Sequence, residues 1–283
     1  MRAVGSTVGR FRIDKLLFQN TATSLYRAAD EANSTVVALK LVNPEQAGNR
    51  IAQERLLAEG SVASLLNHPN IVSLLEVGES EGQAYISMEL VTQPTLAQFL
   101  QEQGSLSVPH ALVIARDIAM ALQYAHDLGL VHRDIKPGNI FTGDRGTPAR
   151  LGDFGIALPP RHHGVGKTSV GQDAYATPRY MSPEQAAGAG VDARSDQYSL
   201  GVVLFEMLTG QVPHGGSNLN TLVAQISNEP SPTLRSIQPQ LSRPLEHIVI
   251  KLLQKKPQKR FADCKGLIKA LDEAQADSIK GGV

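Results

Sequence analysis

The chain has 283 residues, with 27 basic and 27 acidic side chains balancing to zero net charge, and 42% of it is apolar, with Gly and Pro scattered rather than clustered. That composition supports a sizeable core and excludes a disordered, collagen-like or low-complexity chain, while the charge balance gives no polyanion-binding surface of the kind nucleic acid needs. One cysteine, Cys264, rules out an internal disulfide, so a reducing, cytosolic setting is expected. The longest apolar stretches, such as 200–208 with Glu206 inside it, fall short of the roughly 18–20 residues of a membrane span, and the first residues lack the apolar core of a secretion signal. A longer protein continuing past Val283 has room for a membrane anchor there.

In chain order, short β-branched runs bounded by turn residues predict strands at 11–17, 24–29, 35–42, 72–78 and 83–90. One helix interrupts them: residues 50–66 carry apolar side chains at helical spacing and stop before Asn67-His68-Pro69. A small antiparallel sheet with one main helix is expected, and the periodicity then changes near residues 91–96. Ala111, Ala115, Ile118, Leu122 and Ala125 predict a long helix with Pro109 in its first turn and a stop near Gly129. Residues 195–208 are apolar nearly all round with Gly210 just beyond, as in a helix buried inside a mainly helical lobe. The division expected is therefore α+β: a first lobe over 10–91, a hinge over 92–96, a second lobe over 97–273 and a frayed tail over 274–283.

The strongest local signal is His132-Arg133-Asp134-Ile135-Lys136-Pro137-Gly138-Asn139, with Asp153-Phe154-Gly155 fourteen residues after Asn139. Val37-Ala38-Leu39-Lys40 stands upstream and Ser182-Pro183-Glu184 downstream. Four such motifs in this order resemble the protein kinase family over roughly residues 10–272. Lys136, two residues after the aspartate, and the run from Thr177 to Gln185 resemble the bacterial Ser/Thr branch of it. The resemblance implies the two-lobed protein kinase fold, with ATP in the cleft between the lobes and transfer of its γ-phosphoryl to Ser or Thr hydroxyls of protein substrates.

Phosphoryl transfer proceeds through a loose, charge-spread transition state, so its catalysts mainly position and neutralise. By the resemblance, Asp134 orients the acceptor hydroxyl, Lys136 offsets charge on the moving phosphoryl, and Lys40 holds the α- and β-phosphates. Asn139 and Asp153 are the implied ligands of two magnesium ions, oxygen donors for a hard cation, with manganese as an alternative. Lys40 needs a carboxylate partner. Glu54 and Glu59 lie five residues apart, about 140° around a helix, so only one can face it; the resemblance points to Glu59, which stands nine residues before His68 as in kinases of this kind, leaving Glu54 solvated. For the adenine, Leu17, Leu25 and Ala38 form the implied upper wall and Phe141 the lower, with Met88 at the back and the backbone of Glu89 and Val91 pairing with the base. The bland alternative is that these apolar residues are simply core.

One departure stands out. Kinases cover the phosphates with a glycine-rich loop, and here the three glycine positions are Phe18, Asn20 and Thr23. Weaker ATP binding, or dependence on a partner that orders the loop, is expected, with Asn20 and Thr23 compensating in part through side-chain hydrogen bonds. The alternative reading is a pseudokinase or nucleotide-binding scaffold in a signalling complex. Regulation is expected through activation-loop autophosphorylation at Thr168 and Ser169, sensed by Arg133, while Thr177 is placed in the substrate groove. Gly138 stands where basic-directed kinases carry Glu, so strong basic selectivity is not expected.

Glu184 and Arg260 resemble a structural ion pair of the family, and Asp196 the residue that braces the catalytic loop. His162-His163 reads as a solvated loop and Cys264 as a packed small side chain. The resemblance also implies FHA-domain readers of phosphothreonine and homodimerisation as partners, with no nucleic acid.

Overall fold

The computed structural model describes residues 3–143, 146–154 and 177–280. They form two compact units, one of the residues through Thr92 together with Phe154, the other of the remaining residues from Gln93 onward.

The first unit is a six-stranded antiparallel sheet. Its strands are β1 (Thr7–Val8), β2 (Phe11–Gln19), β3 (Thr23–Asp30), β4 (Thr35–Val42), β5 (Leu74–Ser80) and β6 (Gln83–Glu89), in the order β1-β2-β3-β4-β6-β5. Strand β3 shows the two-residue period plainly: Ser24, Tyr26, Ala28 and Asp30 are buried, and the residues between them are half-buried. One face of the sheet buries Phe11, Ile13, Tyr26, Ala28, Val37, Leu39, Leu41 and Tyr85 as a single cluster. The opposite face packs Val42, Ala84 and Ile86 against Leu56 of helix α1 (Arg50–Ala63). Asn49 caps α1 by accepting hydrogen bonds from the amides of Ile51 and Ala52. The helix stops at Ala63 rather than continuing to Leu66, because the amides of Leu65 and Leu66 bond to the carbonyls three residues back, a tighter turn that leads into Asn67. The sequence reading missed β1 altogether.

The second unit is mainly helical: α2 (Leu96–Gln103), α3 (Val108–Asp127), α4 (Pro183–Ala186), α5 (Ala193–Thr209), α6 (Leu219–Asn228), α7 (Leu234–Ile237), α8 (Arg243–Leu252) and α9 (Cys264–Lys280), with one short hairpin of β7 (Ile140–Phe141) and β8 (Arg150–Leu151). Pro109 sits in the first turn of α3, where its missing N–H costs nothing. Asp192 caps α5 and Gly210 ends it in the left-handed conformation at φ 75°. All but four of the residues of α5 are buried, and α3 packs on both α5 and α9. The expected fraying from Ala274 onward is corrected: α9 runs to Lys280, since Cys264, Leu267, Leu271 and Ala274 recur at helical spacing as one buried stripe. Among the described residues no helix is long and apolar enough to cross a membrane.

Candidate active site

In the first unit, strand register decides which side chains share a face. Lys40 lies opposite Leu25 on β3 and Ile86 on β6, and Ala38 lies opposite Met88. Lys40, Leu25, Ala38 and Met88 therefore occupy the sheet face on which α1 packs. The Lys40 ammonium lies 2.5 Å from Glu59 Oε1, with 14% and 16% of the two side chains exposed. Glu54 instead pairs with Arg50 one helical turn away, in solvent. Leu17 falls in an irregular stretch of β2 pairing and is exposed. Glu89 ends β6; its amide donates to Ser73 O at 3.0 Å, and its carboxylate accepts from Ser73 N at 2.7 Å. Val91, just beyond the strand, is half-buried.

The turn between β2 and β3 carries the three residues that replace glycine. Asn20 Oδ1 accepts from the amides of Ala22 and Thr23, both at 2.8 Å, so the Asn20 side chain closes the turn on itself. The Phe18 side chain is 57% exposed.

In the second unit, the segment 132–139 is held from below by Asp196 of α5, which is fully buried. Its Oδ2 accepts from His132 N at 2.9 Å and its Oδ1 from Arg133 N at 2.8 Å. A third donor, His126 Nε2 on α3, reaches Oδ2 at 2.8 Å. Burial alone would raise the Asp196 pKa, but the bonds from His126 and the Arg133 amide outweigh it and hold the carboxyl below its ordinary value. With its two amides fixed in this way, the chain turns at Arg133 with φ 68°. The His132 ring accepts from Asp134 N through Nδ1 at 3.2 Å and reaches Gly152 O through Nε2 at 3.1 Å, which requires the neutral ring with its proton on Nε2.

Asp134 is buried and faces two donors. Lys136 Nζ lies 2.7 Å from its Oδ2, and Asn139 Nδ2 lies 3.0 Å from the same oxygen and 2.8 Å from the Asp134 carbonyl. Because the Asn139 amide nitrogen is used on Asp134, the oxygen is what this side chain has left to offer a cation. Gly152 N donates to Asn139 O at 2.8 Å at the mouth of the β7–β8 hairpin, which puts Asp153 one residue past that pairing. Asp153 is exposed and has φ 59°. One amide oxygen and one carboxylate are donor types that suit a hard cation, with water completing its shell. Phe141, half-buried, pairs with Arg150 across the hairpin.

Gln185 of α4 ties the Ser182-Pro183-Glu184 segment to the same loop: its Oε1 accepts from Ser182 N, and its Nε2 donates to Arg133 O at 2.9 Å. Glu184 and Arg260 form a buried ion pair at 2.6 and 2.8 Å, with Ser195 Oγ also donating to Glu184. Cys264 is fully buried, its Sγ 3.8 Å from His126 Nδ1. Thr177 opens a short 3-10 turn through Tyr180. Thr168, Ser169 and His162-His163 lie outside the described residues. A cavity of about 270 Å³ is lined by Pro137, Leu100, Tyr180 and Glu206 among others. Sequence reasoning missed Gln185, His126 and Glu206; a polar residue inside an apolar helical run was the only signal for Glu206.

The profile of the protein kinase domain matches residues 13–271, and the chain belongs to that family. Its relatives are bacterial serine/threonine-protein kinases. It is 34% identical over 276 residues to serine/threonine-protein kinase PknD of Mycobacterium tuberculosis, covering 97% of this chain and 41% of that protein. It is 33% identical over 255 residues to the probable serine/threonine-protein kinase PknB of Lactococcus lactis, covering 90% and 40%. The kinase domain of Mycobacterium tuberculosis PknI superposes with a TM-score of 0.74 at 28% identity, covering 97% of this chain and all of that one. The chain thus spans about two fifths of the length of the first two relatives.

Proposed function

We propose that the chain transfers the γ-phosphoryl of ATP to Ser or Thr hydroxyls of proteins, and that the residues above divide the work as follows. Lys40, oriented by Glu59, binds the α- and β-phosphates. Asp134 accepts or orients the proton of the attacking hydroxyl, and Lys136, 2.7 Å away, neutralises charge on the transferring phosphoryl. Asn139, through its side-chain oxygen, and Asp153 would hold magnesium, which would supply positive charge against that developing on the phosphates. Leu17, Leu25, Ala38, Met88 and Phe141 contact the adenine, and the backbone of Glu89 and Val91 pairs with it.

The observation that carries this reading is the hydrogen-bonded set of Asp134, Lys136 and Asn139 on a loop fixed by Asp196. A buried carboxylate whose Oδ2 takes one ammonium and one amide is an arrangement for holding a hydroxyl in line rather than for packing. Autophosphorylation of Thr168 and Ser169, read by Arg133, and a role for Thr177 beside the acceptor belong to the same proposal. Glu206 is a half-buried carboxylate whose pKa is raised by burial, partly offset by the bond from Tyr180 Oη at 2.8 Å. FHA-domain readers, a homodimer and a membrane anchor in a longer protein are the associations the family suggests.

The test is phosphopeptide mass spectrometry after incubating the chain, Mg-ATP and a Ser-, Thr- and Tyr-containing protein acceptor. Phosphate on Ser and Thr, including Thr168 and Ser169, is expected. Phosphate on neither chain nor acceptor under any condition would favour a nucleotide-binding scaffold.

A further inference from the structure

We infer that Asn20 sets the nucleotide affinity of this chain, its side chain occupying the backbone amides of Ala22 and Thr23 that a phosphate would otherwise use. The inference rests on the proposed ATP-binding function. It starts from the turn's hydrogen bonds, which leave little of its backbone unengaged. Asn20 Oδ1 takes the amides of Ala22 and Thr23 at 2.8 Å, and Asn20 N donates to Thr23 O at 3.0 Å. The three carbonyls of the turn are claimed by the segment just after β4: Asn43 Nδ2 donates to Asn20 O at 2.7 Å, Gln46 Nε2 to Thr21 O at 3.2 Å, and Asn43 N to Ala22 O at 2.9 Å. Asn43 is itself buried and accepts from the buried Ser24 hydroxyl at 2.5 Å.

The turn is thus stitched down on one side by Asn43 and Gln46 and closed on the other by Asn20. It lies near Lys40: Thr23 pairs with Val42 and Leu25 with Lys40, so the end of the turn is two residues, about 7 Å along the strand, from the register of the lysine. In a loop that covers phosphates, unblocked backbone amides are the donors. Here a neutral carboxamide oxygen already sits on two of them. A phosphate oxygen bears charge and makes the stronger bond, so it can displace Asn20, but the displaced bonds are subtracted from its affinity. Only a ligand that carries phosphate feels this competition.

Two substitutions at this exposed position act in opposite directions. Asn20→Gly removes the competing oxygen, and Mg-ATP should bind about tenfold tighter. Asn20→Asp keeps the shape but puts a carboxylate on the amides, which holds them harder and repels phosphate, and Mg-ATP should bind at least about tenfold more weakly. Calorimetric titration of the full chain and both variants with Mg-ATP and, separately, with adenosine tests this. The expected result is opposite shifts for Mg-ATP and one unchanged affinity for adenosine. Equal Mg-ATP affinities in the three proteins, or adenosine shifting in parallel with ATP, would overturn the inference while leaving nucleotide binding intact. Failure of every form to bind either ligand would overturn the proposed function and the inference with it.

Discussion

Lys40 in the middle of β4 and Glu59 on the third turn of α1 meet at 2.5 Å, nineteen residues apart in the chain and both largely withdrawn from solvent. A lysine on a flexible stem is a poor phosphate ligand until something fixes it, and here a carboxylate on the helix that packs on the same sheet face does so. Replacing Lys40 with Met should lower phosphoryl transfer by about 100-fold or more, and Glu59→Gln by less, since the ammonium survives but loses its charged anchor. Glu54→Gln, which loses an exposed ion pair with Arg50, should leave the rate unchanged. Steady-state kinetics on the three variants checks the order; a Glu54 effect equal to that of Glu59 would contradict the assignment.

Asp196 is predicted to be essential to stability and turnover together. It takes three hydrogen bonds while fully buried, and Asp196→Ala strands the donors of His132, Arg133 and His126. A loss of about 3–5 kcal/mol is expected in denaturant unfolding. His126→Gln keeps the backbone bonds to Asp196 and should cost less in stability than Asp196→Ala.

The Glu184–Arg260 pair separates two effects. Arg260→Met leaves Glu184 buried without its cation and should cost about 3–5 kcal/mol, whereas adding Glu184→Leu to it removes the stranded charge. The double variant should recover part of the loss. Urea unfolding of the two proteins reads this directly, and a double variant less stable than the single one would contradict it.

His214 gives a pH prediction. It is buried in the second unit with Nε2 3.2 Å from both Lys255 Nζ and Ser231 Oγ. Burial first and the Lys255 charge second bring its pKa from 6.5 down to about 4. Between those values the unfolded chain binds a proton that the folded chain refuses, so this contribution is fully present above about pH 6.5 and is lost as pH falls toward 4. It amounts to about 3 kcal/mol. His214→Gln, which cannot titrate, should lose less stability than the wild type between pH 7.5 and 4.5; an identical loss would contradict the assignment.

The sequence was most legible where chemistry and chain locality coincide. Asp134, Lys136 and Asn139 sit within six residues, so the motif already contained the cluster that the fold then ties together. Helix geometry let only one of Glu54 and Glu59 face β4, and the resemblance, through the nine-residue spacing to His68, pointed to Glu59. Register and capping set most element ends to within two residues, but α9 was hidden because the polar run after Ala274 outweighed a buried stripe of only four residues. The turn at Asn20 was legible as an exception and not as a structure, since its partners Asn43 and Gln46 follow a strand later and carry no pattern. The His214–Lys255–Ser231 cluster was silent for the same reason: it joins three loops and helix ends that only the packed unit brings together.

The most direct test of phosphoryl transfer is the intact mass of the purified chain before and after incubation with Mg-ATP, alongside Asp134→Asn. Asp134→Asn keeps the shape of the loop and removes the carboxylate that faces Lys136. A mass gain in whole phosphate steps in the wild type, absent from the variant, is what the account predicts. A gain of equal size and rate in both, or in neither, would contradict it.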